Sequence, residues 1–194
     1  MSSAARCGVV ILSAAALAWA AAQDGPALRP PAELFVIPDP PKVVPRVLDL
    51  AQPDNTRVSV SLGRQRAYLH VGGEVAIDTP VSTGKERGRT PAGEYSILEK
   101  SATHRSNLHG DFVDAQGRVV RSGVSTRIDA APSGTVFRPV PVEYFMRLTA
   151  EGLALHAGRL PGYPASDLAV RLPADIAPLI YQRVKPGTPV KIEE

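Results

Sequence analysis

The strongest constraint on the fold is an alternation of apolar and polar residues that runs, with two interruptions, from Arg57 to Val81. Val58, Val60 and Leu62 alternate with Arg57, Ser59 and Ser61; Ala67, Leu69 and Val71 repeat the pattern beyond Gly63-Arg64, and Val75–Val81 follows Gly72-Gly73. A period of two places apolar side chains on one face of an extended strand, and Gly-Gly supplies the positive φ angles of a two-residue hairpin. The stretch therefore predicts a three-stranded meander with one buried face. With 19 prolines and only 5% aromatic residues, the chain reads as loop-rich and mainly β, while 44% hydrophobic residues suffice for one packed domain.

The region before this meander has a different composition. Residues 1–22 carry one positive charge, Arg6, an apolar run from Gly8 to Ala18, and small residues ending in Ala20-Ala21-Ala22. This is the layout of a secretory signal peptide, and its apolar run is shorter than the roughly 20 residues that span a bilayer. No membrane span is expected after cleavage. Cys7 precedes the apolar run, which excludes a lipoprotein arrangement, and it is the only cysteine, so no disulfide is expected. Residues 23–56 contain Pro26, Pro30, Pro31, Pro38, Pro40, Pro41 and Pro45 around an apolar patch, Leu34-Phe35-Val36-Ile37, and read as a proline-rich spacer. The domain is placed at 57–194, in an exported chain.

The net charge of +3 is small and the basic residues are scattered singly, which argues against a nucleic-acid track. His104, His109, Asp111 and Asp114 fit no known zinc spacing, so neither a metal nor a cofactor is expected. Ser101–Ser133 has no clear periodicity and reads as loops. Tyr144–Thr149 and Leu153–His156 read as strands, and Pro173–Val184 as a short helix with Ile176, Leu179, Ile180 and Val184 on one face. Pro173 suits the first turn of that helix, and Pro178 shortens or kinks it.

The segment Leu153–Pro173, LALHAGRLPGYPASDLAVRLP, carries the most specific pattern. With Ser82-Thr83-Gly84-Lys85 and Thr90-Pro91-Ala92-Gly93-Glu94-Tyr95, it resembles the L,D-transpeptidase family of bacterial cell-wall enzymes. There a strand ends in His-x-Gly, a Gly-Tyr-Pro-Ala loop follows, and the segment closes with Ser-His-Gly-Cys-Val-Arg. The resemblance covers about Arg57–Ile192, the terminal Gly-Thr-Pro-Val included. It implies a mainly β fold, two sheets packed as a β-sandwich with a short C-terminal helix, and acyl transfer between peptidoglycan stem peptides.

This chain closes its segment with Ser166-Asp167-Leu168-Ala169-Val170-Arg171. Acyl transfer through cysteine needs a thiolate, a base and oxyanion donors. Ala169, in the position the resemblance gives to the nucleophile, has no attacking atom; Asp167 and Leu168 stand where the family has histidine and glycine. His156 matches the family base, left either with another role or as a packing group. Gly158, Tyr163, Ser166 and Arg171 match the rest of the segment; Arg171 is suited to a ligand carboxylate or to an ion pair with Asp167. Ser166 and Asp167 are adjacent on an extended segment and point to opposite faces, which disfavours a serine triad with His156. The expectation is a non-catalytic member that binds wall peptides or an envelope protein, in the periplasm or at the cell wall. The alternative is an active transpeptidase using an unidentified nucleophile.

Overall fold

The structure is a computed structural model and describes residues 38–194. Its elements are β1 (Lys42–Val43), α1 (Pro45–Leu48), β2 (Thr56–Ser61), β3 (Arg66–Val71), β4 (Glu74–Pro80), β5 (Gly93–Ser96), β6 (Glu99–Val113), β7 (Val119–Ser125), β8 (Val136–Arg147), β9 (Ala154–Ala157), β10 (Val170–Leu172), α2 (Ala177–Arg183) and β11 (Pro189–Glu193). They build two sheets. The first has the order β1-β4-β3-β2-β11-β5 and the second β10-β9-β8-β6-β7.

The meander forms as the alternation dictates. Val58 pairs with Leu69, and Leu69 with Ile77, so the apolar members of three strands share a face. Gly72 and Gly73 both have positive φ, 56° and 99°, which lets two residues reverse the chain. β11 returns from the far end of the sequence to lie parallel to β2, with Val190 and Ile192 in register with Val58 and Val60. This apolar face packs on Met146, Leu155, Val170 and Leu172 of the second sheet in one continuous core. Helix α2 adds Ala177 and Ile180 to that core and lies against β8 and β9.

Three expectations are corrected. Part of the stretch read as spacer is built into the fold: Lys42 and Val43 pair with Asp78 and Ile77 at the edge of the first sheet, and Val47 and Leu48 are buried. One of its prolines, Pro45, starts α1, where a missing N–H costs nothing. Ser101–Ser133 is not a set of loops but the greater part of a long antiparallel arm of β6, β7 and β8, in which Phe112 meets Phe137 edge-on at 6.2 Å between centroids. The helix begins at Ala177 rather than Pro173, so Pro178 falls in its first turn and does not kink it. Residues 1–37, which include the expected signal peptide, lie outside the described residues.

Candidate functional site

The site is assembled where the ends of both sheets meet. Its foundation is Gln65, which turns the chain into β3 with φ of 51°. A non-glycine residue rarely adopts that conformation, and here the side chain holds it in place. The Gln65 amide donates to the Leu62 carbonyl and to Thr83 Oγ1, each at 2.7 Å, and its oxygen accepts the Thr83 N–H at 3.1 Å. Thus Val81–Gly84 leaves β4 along a fixed path.

That path supports the loop between β9 and β10. Ser82 exchanges both backbone hydrogen bonds with Arg171, at 3.1 and 2.9 Å. Its hydroxyl donates to the Tyr163 carbonyl at 2.8 Å and accepts the Ala165 N–H at 3.1 Å. Ser166 is buried: its N–H donates to the Thr83 carbonyl and its carbonyl accepts the Lys85 N–H. Thr90 completes the support, accepting the Gly84 N–H and donating to the Leu168 carbonyl, both at 2.8 Å. The Ser-x-Gly-Lys and Thr-Pro stretches are therefore the underside of the loop that carries Asp167, Leu168 and Ala169.

β10 runs parallel to β9, with Arg171 beside His156 and Val170 beside Leu155. The bend Asp167–Ala169 opens directly into β10. His156 Nδ1 lies 2.7 Å from the Ala157 carbonyl. A carbonyl only accepts, so the proton is on Nδ1 and Nε2 keeps its lone pair. Burial lowers the His156 pKa, the Ala157 bond works against that, and the charge of Arg171 lowers it further. The imidazole is neutral near pH 7 and has the electronic state of a base. Arg171 folds across Gly158, where a Cβ would lie 3.0 Å from its Cγ.

Asp167 does not pair with Arg171. Its carboxylate is held by Lys85 Nζ and by His109 Nε2, each at 3.0 Å. The hydrogen bond from Lys85 is the main reason its pKa lies below the usual carboxylate range, with the charges of Lys85, His109 and Arg89 adding to the effect. His109 reaches this point because β6 bulges between Arg105 and Gly110, where its register against β8 shifts. Neither Lys85 nor His109 was singled out for a role at the site by sequence, although Lys85 ends the Ser-x-Gly-Lys stretch. Leu168 is half-buried and packs against the core, and Tyr163 is exposed.

His104 stacks on Phe145 with centroids 4.1 Å apart. Asp111 and Asp114 pair with Arg138 and Arg118. Among the described residues no three His, Cys, Asp or Glu side chains converge on a metal position, and no helix is long and apolar enough to cross a membrane.

Against known protein families, residues 55–192 match the L,D-transpeptidase catalytic domain, YkuD. The chain belongs to this family. Its fold is similar to that of an L,D-transpeptidase from Mycobacterium smegmatis, at 20% identity and a TM-score of 0.55 over 72% of this chain and 59% of that one. The L,D-transpeptidase (Yku) from Stackebrandtia nassauensis gives 19% and 0.52 over 75% and 60%. L,D-transpeptidase 3 from Mycobacterium tuberculosis, in complex with a faropenem-derived adduct, gives 20% and 0.51 over 72% and 60%. The chain thus spans about three-fifths of the length of these structures. No match was found among the curated proteins.

Three histidines make a prediction about acid stability. Burial lowers the pKa values of His70, His104 and His156, with Arg57, Arg147 and Arg171 respectively adding to the effect. Each therefore takes up a proton more readily in the unfolded chain. Their contribution favours the fold above about pH 6.5 and turns against it as pH falls below that value. Urea midpoints should drop between pH 7.5 and pH 5, and His156→Gln should flatten that dependence. An unchanged slope in the variant would remove His156 from the account.

Proposed function

We propose that this chain is an exported, non-catalytic member of the L,D-transpeptidase family that acts in peptidoglycan cross-linking by binding stem peptides rather than by acylating them. The observation that carries the reading is Ala169: the loop that family resemblance assigns to the nucleophile is built and supported on its underside, but it ends in a methyl group. The sole cysteine of the chain is Cys7, in the stretch read as a signal peptide. A base in the right state, His156, then has nothing to deprotonate.

Binding is a reasonable use of what remains. Arg171 is positioned by backbone bonds on both sides of β10, and its guanidinium suits a peptide carboxylate. Envelope proteins are the other class of partner that the family setting suggests, and the peptide reading is preferred because His156 and Arg171 stand side by side on paired strands next to the loop. Isothermal titration with muropeptides tests it. Wild type should bind in the micromolar to millimolar range, and Arg171→Ala should lose about tenfold, the usual effect of removing a charge-assisted hydrogen bond. No heat with any muropeptide at millimolar concentration would exclude peptide recognition.

A further inference from the structure

Lys85 and His109 come from different parts of the fold, one from the loop after β4 and one from the bulge in β6, yet both aim a nitrogen at the same carboxylate at 3.0 Å. Arg89 adds positive charge near it while its own guanidinium is paired with Glu86 at 2.9 Å. Two donors converging on two oxygens of one carboxylate make a small anion site, and the occupant is a side chain of the loop between β9 and β10. We propose that Lys85 and His109 form a carboxylate-binding site which Asp167 fills from within the chain, and that a ligand carboxylate takes its place. The proposal rests on the reading of the cleft as a peptide-binding surface and adds the mode of recognition.

The exchange is physically accessible. The side chains of Lys85, Asp167 and His109 are 51%, 50% and 43% exposed, so a ligand reaches the donors without opening the core. Ion pairs exposed to this degree contribute little to stability and are readily exchanged. A tethered carboxylate competes with a free one at an effective concentration on the order of millimolar. Asp167 therefore competes with any free carboxylate, and a peptide with other contacts to the surface around it displaces it. The loop backbone need not move, because Ser166 and Leu168 on either side are held by Thr83, Lys85 and Thr90.

The test uses the full chain and its Asp167→Asn variant, with acetate as the first probe and the His109 ring proton resonances as the readout. In the variant, acetate should reach half-saturation of the His109 shifts at a concentration roughly two- to fivefold lower than wild type needs, and adding Lys85→Met should abolish the gain. The second arm compares a stem tetrapeptide with its C-terminal amide: the free acid should gain roughly two- to fivefold in the variant and the amide nothing. A gain for the amide as large as for the acid would show that a carboxylate other than the C-terminal one is bound. Equal acetate half-saturation in wild type and variant overturns the proposal. Should the amide side chain of Asn disturb the loop, seen as a lowered melting temperature, Asp167→Ser makes the same measurement. A chain that responds to acetate as expected but binds no wall peptide retains the carboxylate site and loses the peptide-binding reading, so the two failures are distinct.

Discussion

Incubated with faropenem, a Cys7→Ser chain keeps its mass, while the same chain carrying Asp167→His, Leu168→Gly and Ala169→Cys gains a stoichiometric covalent adduct. The first half follows from Ala169, since no thiol remains in that chain. The second half follows from how much of the site is intact. His156 is neutral with Nε2 free, the loop is fixed from below by Ser82, Gly84 and Thr90, and Arg171 is in place. Restoring the thiol alone should give a weaker result, with adduct formation slower by about 10²-fold or more, because Leu168 resists the backbone conformations that a donor-presenting turn requires. Intact-mass spectrometry over hours separates the three chains. An adduct on the parent chain at any residue would reveal a nucleophile other than the missing cysteine and would favour the active alternative.

The meander was legible because one of its faces is buried: Val58, Leu69 and Ile77 are almost wholly inaccessible, and burial on one side imposes the period of two. The arm of β6, β7 and β8 was not legible for the opposite reason. From Glu99 to His109 neither face of β6 is buried, so His104, Arg105, Ser106 and Asn107 occupy strand positions without an apolar rhythm. Hydrogen bonding to β8, not burial, makes Glu99–Arg105 extended, and Ser106–His109 is the bulge that follows. Similarly, Pro45 and Pro178 were read as obstacles to regular structure, and both lie at helix starts, where proline fits.

The site divides along the same line. His156 and Arg171 are neighbours through strand pairing, and their family motif announced them. The partners of Asp167 are 82 and 58 positions away in sequence, and only the bulge in β6 and the turn held by Gln65 bring them together. Local pattern carries no record of such a meeting. Of the two partners expected for Arg171, a ligand carboxylate or Asp167, the second is excluded by the fold, which gives Asp167 to Lys85 and His109.

Two glycines flank this site and should respond unequally to the same substitution. A Cβ on Gly84 would lie 2.5 Å from Arg89 Cβ and 2.9 Å from the Thr90 backbone nitrogen, atoms that cannot swing aside. Gly84 also donates its N–H to Thr90, whose hydroxyl in turn holds Leu168. Alanine there must push the 84–90 loop away and loosen the support of the nucleophile-position loop, and about 2–3 kcal/mol of stability should be lost. A Cβ on Gly158 meets the Arg171 side chain first, at 3.0–3.2 Å, and a flexible arginine can yield. Gly158→Ala should cost under about 1 kcal/mol, yet it displaces the guanidinium proposed to meet the ligand, so peptide affinity should fall. Urea denaturation of both variants, alongside muropeptide titration of Gly158→Ala, reads the contrast. Equal losses of stability would mean that the loop around Gly84 is softer than its contacts imply, and unchanged affinity in Gly158→Ala would place the binding surface away from Arg171.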